Sequence, residues 1–163
     1  MGYEIEKKFL LKDESWQQLG QGHRFRQGYL TSGGEGATVR VRTSRNIGWI
    51  TVKGPTVKGV RREYEYEIPL TDALQMLKEI CIPPIIEKTR YTFTQDNFVW
   101  EIDAFLGENE GLVVAEIELE SPDQPFPRPS WLGQEVTDRP RYYNASLVHY
   151  PFSAWTSQEK NGE

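Results

Sequence analysis

Residues 1–11 have the sequence MGYEIEKKFLL, which places Glu4, Glu6 and Lys8 at alternate positions. Because successive side chains of a β-strand point to opposite faces, these three charged groups would share one face of a strand. The intervening positions, with Phe9 at their end, are largely apolar and would share the other face. The segment therefore predicts a strand with one charged and one apolar face.

The same alternation recurs along the chain and predicts a mainly β protein with flanking helices, an α+β arrangement. Eight strands are predicted, at Tyr3–Leu10, Arg24–Thr31, Ala37–Thr43, Gly48–Lys53, Arg61–Ile68, Ile85–Thr94, Phe98–Phe105 and Leu112–Glu120. Helices are predicted at Thr71–Ile80, where Thr71 or Asp72 would be the cap, at Arg141–His149 and, as a short third helix, at Asp13–Leu19. Turn signals separate the strands, among them Ser32-Gly33-Gly34.

The length of 163 residues predicts one domain with its own core. We assign residues 1–152 to this domain and residues 153–163, which include Trp155, to a loosely held C-terminal tail. The proline-rich segment Ser121–Trp131 is predicted to be a surface connection within the domain.

Composition limits the classes of function. The 24 acidic and 19 basic side chains give a net charge of −5, which argues against binding of nucleic acid or anionic membranes through overall charge. Cys81 is the only cysteine, so no intrachain disulfide can form, and no apolar stretch has the length of a membrane span. We therefore expect a cytoplasmic protein without nucleic-acid or membrane partners.

Charge of one sign repeats along single strand faces. The repeats are Arg40 and Arg42; Glu63, Glu65 and Glu67; Lys88 and Arg90; Glu101 and Asp103; and Glu116, Glu118 and Glu120. One interpretation is that these faces contact water, which is usual for antiparallel sheets. However, like charges at neighbouring positions are destabilising, and eight antiparallel strands can form a closed barrel whose interior holds side chains or a small ligand. The alternative is therefore a closed eight-stranded antiparallel tunnel with a charged interior.

An interior of this kind requires a matching ligand, because unpaired buried charge is costly. Arg and Lys side chains bind phosphoryl oxygens, and hard divalent cations bridge carboxylates to phosphate. A phosphate chain accompanied by Mg²⁺ or Mn²⁺ would satisfy both sets of residues.

These residues resemble the signature of CYTH-domain proteins of the triphosphate tunnel metalloenzyme superfamily, in particular its small bacterial members. The E-x-E-x-K motif is met by the first strand, and ordered matches follow in TVRVR, TVKG, RREYEYEI, EKTRY, WEIDAF, VAEIELE and VTDRPRYYNASL. The motif alone is weak, but seven ordered matches across about 140 residues are specific.

The resemblance implies roles for individual residues. The implied metal ligands are Glu4, Glu6, Asp103, Glu116 and Glu118. The implied substrate-binding residues are Lys8, Arg40, Arg42, Lys53, Lys88 and Arg90. Glu63 and Glu65 would bind a second ion or the nucleophilic water, and Lys8 would also act in catalysis. Tyr29 would be catalytic if its hydroxyl lines the tunnel, although it could equally pack on the outside.

The resemblance therefore implies metal-dependent hydrolysis of a triphosphate. Inorganic tripolyphosphate is favoured because the chain is small and has no aromatic-rich insert suited to a base. The alternatives are hydrolysis of ATP or another nucleoside triphosphate, or of thiamine triphosphate, and cyclisation of ATP as in class IV adenylyl cyclases. A polyphosphate-binding module without activity is disfavoured by the intact acidic set. The protein would be a monomer or a homodimer.

Overall fold

The computed structural model describes residues 2–31 and 36–163, so the turn predicted at Ser32-Gly33-Gly34 lies outside the described residues. The strands are β1 (Gly2–Glu4), β2 (Glu6–Leu11), β3 (Gly22–Tyr29), β4 (Thr38–Ser44), β5 (Ile47–Lys53), β6 (Arg61–Ile68), β7 (Ile82–Gln95), β8 (Phe98–Phe105), β9 (Val113–Glu118) and β10 (Leu132–Glu135). The helices are α1 (Leu70–Glu79), α2 (Asn144–His149) and α3 (Ser157–Lys160), with 3₁₀ turns at Ser15–Gln18, Gly107–Asn109, Pro140–Tyr142 and Phe152–Ala154.

The predicted mainly β class is confirmed, although several elements differ from the prediction. The first predicted strand is interrupted at Ile5 and forms β1 and β2. The short strand β10 was not predicted, because four residues after a proline-rich segment show no clear alternation. Helix α1 begins after Pro69 and not after a Thr71 or Asp72 cap, and it has no side-chain cap. The predicted short helix at Asp13–Leu19 is a 3₁₀ turn.

The strands form one antiparallel sheet in the order β1-β6-β5-β4-β3-β7-β8-β9-β2-β10. The segment 2–11 contributes to both ends of this order. Gly2 of β1 lies opposite Glu63 of β6, and Glu6 of β2 lies opposite Glu118 of β9. The hydrogen-bonded order nevertheless has two end strands, β1 and β10, so the sheet itself is an open series of strands.

Apolar side chains on the outer face of the sheet form the core against the helices and the connecting segments. Helix α1 packs through Ala73 and Leu77 beside Val41 of β4. The proline-rich segment runs mainly along the surface, as predicted, but its last residue Trp131 is buried and its ring lies 5.0 Å from Trp100 in an edge-to-face contact. Burial of such large aromatic surfaces contributes a major part of the core energy. The residues on the other face of the sheet therefore remain available to line a cavity.

The C-terminal tail is packed against the domain and is not loosely held. Trp155 is only 4% exposed and its ring lies 5.0 Å from that of Tyr142. Thr156 caps α3 through a capping box, in which its side chain accepts from the Glu159 backbone amide. The prediction failed here because a short polar segment after a single tryptophan gives no periodic signal. In the described parts of the chain, no helix is long and apolar enough to cross a bilayer.

We expect Thr156→Ala to lower the free energy of unfolding by about 1 kcal/mol, because the capping box loses its side-chain acceptor. Thermal unfolding should show a decrease in Tm of about 2–4 °C. Ser157→Ala, at the neighbouring exposed position, is the matched control and should leave Tm unchanged. Equal Tm values for both variants would contradict a structural role of the tail.

Candidate active site

The inner face of the sheet lines two cavities of about 400 Å³ and about 620 Å³. They share six lining residues, Glu4, Glu6, Arg40, Lys53, Arg90 and Glu116. The smaller cavity is lined by seven carboxylates and four cationic side chains, and we call it the acidic cavity. The larger cavity is lined by seven cationic side chains and five carboxylates, and we call it the basic cavity. The site therefore has an acidic side and a basic side with a common boundary.

All the predicted site residues except Asp103 line one or both of these cavities. The basic cavity contains Lys8, Tyr29 and Lys88, and the acidic cavity contains Arg42, Glu63, Glu65 and Glu118. Most charged residues of these strand faces thus line a cavity, whereas Glu67 and Glu120 at the ends of their rows are exposed and line neither cavity. The roles assigned to the individual residues remain predictions.

On β4 and β5, each cationic side chain pairs with a carboxylate. Arg42 Nη2 lies 3.0 Å from Glu65 Oε2, and Lys53 Nζ lies 2.6 Å from Glu4 Oε1 and 3.1 Å from Glu63 Oε2. Burial raises the pKa values of Glu63 and Glu65, but the adjacent Lys53 and Arg42 respectively more than offset this and lower them. These ion pairs fix the cationic groups before any anion binds.

The sequence analysis did not identify two further side chains near these ion pairs, Thr51 and Arg61. The Thr51 hydroxyl donates to Glu65 at 2.7 Å and lies 3.3 Å from Arg40 Nη2. Arg61 lines the basic cavity. Arg61 has the same parity as Glu63 and Glu65, so the alternation could have revealed it, whereas a threonine in a strand carries no such signal.

Asp103 is buried beneath the cationic side chains of β7. Its two carboxylate oxygens accept hydrogen bonds from Arg90 at 2.7 and 2.8 Å and from Lys88 at 2.7 Å. Burial opposes ionisation of Asp103, but the charges of Arg90 and Lys88 lower its pKa overall. Burial and the neighbouring Arg90 lower the pKa of Lys88 to about 7. Asp103 therefore lies behind the cations and lines neither cavity.

Lys8 interacts with Glu6 of β2 and with Glu116 of β9. Its Nζ atom donates to Glu116 Oε1 at 2.8 Å, and both side chains are nearly buried. Burial opposes the charged form of Lys8, but Glu116 and Glu6 raise its pKa. Burial and the charge of Glu116 raise the pKa of Glu6 to about 8. The acidic cavity, with seven carboxylates and four cationic side chains, therefore has more negative than positive charge.

A buried polar network connects Tyr29 to Lys88. Gln27 Nε2 donates to the Tyr29 hydroxyl oxygen at 3.1 Å and to Asn144 Oδ1 at 2.9 Å. Lys88 Nζ donates to the same Asn144 oxygen at 2.9 Å. Asn144 lies in the predicted helix Arg141–His149, but the sequence analysis assigned no function to it or to Gln27. In a single sequence, an amide side chain that binds a ligand cannot be distinguished from one on the surface.

Two aromatic rings lie beside the arginines of the acidic cavity. Phe25 and Trp49 are stacked with centroids 6.3 Å apart. The Arg42 guanidinium carbon lies 5.4 Å from the Phe25 centroid and 5.6 Å from that of Trp49, and the Arg90 carbon lies 5.6 Å from Phe25. Cation–π contacts of this kind stabilise a desolvated guanidinium. The rings therefore help to fix both arginines.

The acidic side chains of the site are the candidate ligands for a metal ion. Within residues 2–31 and 36–163, no group of three or more His, Cys, Asp or Glu side chains is arranged closely enough to form a metal site. However, the charges of Glu116 and Glu4 both oppose ionisation of Glu6. Carboxylate oxygens are the ligands that Mg²⁺ and Mn²⁺ prefer. The residues fit a hard divalent cation, which would relieve this repulsion.

The fold and the cavities define a class of antiparallel β protein in which one face of the sheet presents opposed rows of carboxylates and cations. The sequence profile of the CYTH domain matches residues 2–149. The chain therefore belongs to the CYTH domain family, and the resemblance noted from its motifs is confirmed.

Two proteins named inorganic triphosphatase match nearly the whole chain. An inorganic triphosphatase from Acetivibrio thermocellus is 48% identical over 152 residues, which cover 93% of this chain and 97% of that protein. An inorganic triphosphatase from Nitrosomonas europaea is 35% identical over 148 residues, which cover 89% of this chain and 96% of that protein. A crystal structure of an inorganic triphosphatase has a TM-score of 0.65 at 33% identity, covering 91% of this chain and 95% of that one.

Proposed function

We propose that this protein is a divalent-metal-dependent inorganic triphosphatase that hydrolyses tripolyphosphate to pyrophosphate and phosphate. The observation that carries the proposal is the row of anchored cations beside an excess of carboxylates in two adjoining cavities. The 48% identity to a protein named inorganic triphosphatase supports the same activity.

The sheet would wrap into a closed tunnel around this site. In support, the segment 2–11 pairs with β6 through Gly2–Glu4 and with β9 through Glu6–Phe9, with only Ile5 between the two strands. The continuous backbone of this segment would then close the ring that the hydrogen-bonded order leaves open. The six residues shared by the two cavities would lie at the centre of the tunnel.

The cations would bind the phosphate chain along the tunnel. Arg40, Arg42 and Arg90 present planar guanidinium groups that suit bidentate binding of phosphoryl oxygens. Lys53 and Lys88 add compact charges on either side. Since each of these groups has a carboxylate partner, an exchange of partners could bind substrate without leaving a buried charge unpaired.

The metal would be held by Glu4, Glu6, Glu116 and Glu118, and we propose Mg²⁺ or Mn²⁺. Such an ion neutralises charge on the phosphate chain and lowers the pKa of a bound water. Asp103 was predicted to join this set, but its two oxygens are occupied by Arg90 and Lys88, so we assign it to positioning those cations.

The remaining residues would serve the hydrolytic step. Water attacks a terminal phosphorus, the bond from that phosphorus to the bridging oxygen breaks, and pyrophosphate leaves while the proton of water passes to solvent. Glu63 and Glu65 would orient the attacking water through their oxygens nearest the cavity. Lys8 would stabilise charge on the leaving bridging oxygen, and the Tyr29 hydroxyl would donate to a phosphoryl oxygen. Positioning and charge neutralisation suffice for phosphoryl transfer, so no covalent intermediate is required.

We further propose that the enzyme acts in the cytoplasm on a small-molecule triphosphate, as a monomer or a homodimer. The negative net charge and the single cysteine support this setting.

The function is tested by measuring phosphate release from tripolyphosphate, ATP, thiamine triphosphate and pyrophosphate, with Mg²⁺, Mn²⁺ or a chelator. We expect equimolar phosphate and pyrophosphate from tripolyphosphate with a metal and none with a chelator. A higher kcat/KM for ATP would favour the nucleoside triphosphatase alternative, and formation of cyclic AMP would favour the cyclase. Inactivity on every substrate under all metal conditions would refute the proposal.

A further inference from the structure

The orientation of the Asn144 amide is fixed by its partners. Lys88 Nζ lies 2.7 Å from Asp103 Oδ2, whose negative charge favours the ammonium form of Lys88, and an ammonium group can only donate hydrogen bonds. The Asn144 atom 2.9 Å from Lys88 Nζ must therefore be the carbonyl oxygen Oδ1. The Gln27 atom that contacts the same oxygen must in turn be its Nε2 group. The charge of Lys88 thus sets the direction of both amides.

This orientation leaves the Asn144 Nδ2 group, with its two hydrogens, available. Asn144 lines the basic cavity together with Lys88, Tyr29 and Arg40. The described residues offer no hydrogen-bond acceptor to Nδ2, whereas Oδ1 has two donors. Since the oxygen faces Lys88 and Gln27, the nitrogen is the polar atom left to face the cavity. A bound anion would supply the acceptor that this donor lacks.

We infer that Asn144 is a substrate-binding residue whose Nδ2 group donates to a phosphoryl oxygen at the basic end of the site, while its Oδ1 atom holds Lys88 in place. The inference rests on the proposed function for the identity of the anion, and it deepens that proposal by adding an uncharged donor to the cationic set. A neutral donor with a fixed direction gives geometric selectivity that point charges lack. Asn144 would therefore help to select tetrahedral phosphoryl groups at this end.

Side-chain amide NMR of ¹⁵N-labelled protein tests the contact directly. The probe is tripolyphosphate with imido groups in place of its bridging oxygens, added with Mg²⁺, so that binding is observed without hydrolysis. The Asn144 amide signals are identified by their absence in Asn144→Ala. We expect them to shift on binding, whereas the Gln27 signals, whose donors are occupied by Tyr29 and Asn144, serve as the internal control and should shift much less.

A double-mutant cycle separates contact from positioning. In the wild-type background, Asn144→Ala should raise KM for tripolyphosphate about tenfold, the usual effect of losing a hydrogen bond to a charged group. In a Lys88→Met background, Asn144→Ala should still raise KM several-fold, because the Nδ2 contact is lost in addition. Asn161→Ala, at an exposed position of the packed C-terminal segment, is the matched control and should change neither value.

Two results would overturn the inference. One is an Asn144 amide signal that does not shift while the analogue saturates the site. The other is a complete loss of the Asn144→Ala effect in the Lys88→Met background, which would show that Asn144 acts only through Lys88. A protein that binds the analogue and shifts the Asn144 signal, but does not hydrolyse tripolyphosphate, would refute the proposed function and leave this binding role intact.

Discussion

Glu6→Gln is expected to abolish metal-dependent hydrolysis of tripolyphosphate without destabilising the metal-free protein. Loss of a residue that only hydrogen-bonds to a metal ligand already lowers metal affinity or activity by about 10–100-fold. Loss of a direct ligand should therefore lower kcat by about a hundredfold or more. In the metal-free protein, the same change removes the repulsion that Glu116 and Glu4 exert on Glu6. The variant should therefore have an equal or higher Tm in the presence of a chelator.

The measurement combines phosphate release with thermal unfolding at increasing Mg²⁺ concentrations. The wild type should gain stability with Mg²⁺, because a ligand that binds only the folded state raises its Tm, and Glu6→Gln should lose this gain. Glu120→Gln is the matched control, since Glu120 continues the acidic row of β9 but lies exposed beyond the cavities. Retained activity and a retained Mg²⁺ effect in Glu6→Gln would show that Glu6 does not bind the metal.

Charge at alternate positions carries two kinds of information about this protein. Hydrophobic alternation identifies a strand, and the segregation of acids and bases identifies the face that lines a cavity. Strands β6 and β8 were predicted with their observed ends. For this reason Arg40, Lys53, Lys88 and the other charged site residues singled out from the sequence, except Asp103, lie around the two cavities.

The features that were missed are uncharged or depend on tertiary contacts. Gln27, Thr51 and Asn144 orient charged groups through hydrogen bonds, but such residue types are equally common in surface strands and helix ends. The burial of Trp155 depends on the rings of Tyr142 and Phe152, which lie in the 3₁₀ turns Pro140–Tyr142 and Phe152–Ala154. Whether the sheet closes likewise depends on the pairing of segment 2–11 with two strands, which alternation within one strand cannot reveal.

Asp103→Asn is expected to be the most destabilising substitution in the site. Asp103 is 1% exposed and Lys88 is fully buried, and Arg90 and Lys88 both depend on this carboxylate. Removing one partner of a buried ion pair leaves uncompensated charge and costs about 3–5 kcal/mol. At about 2–4 °C per kcal/mol, Tm should fall by about 10 °C, which thermal unfolding would detect. Glu101→Gln, which changes a partly exposed partner of the same Arg90, should cost about 1 kcal/mol or less.

The same variant distinguishes a metal ligand from a buried counterion at this position. If Asp103 only holds the cations, folded Asp103→Asn protein at low temperature should bind Mn²⁺ with nearly the wild-type affinity, while KM for tripolyphosphate rises because Arg90 and Lys88 are displaced. A direct ligand would instead lose Mn²⁺ affinity with little change in Tm. Because both oxygens of Asp103 are engaged by cations and the residue lines neither cavity, we expect the first pattern. Asp103 would then position Arg90 and Lys88 at the substrate, while the glutamates of β1, β2 and β9 would bind the metal.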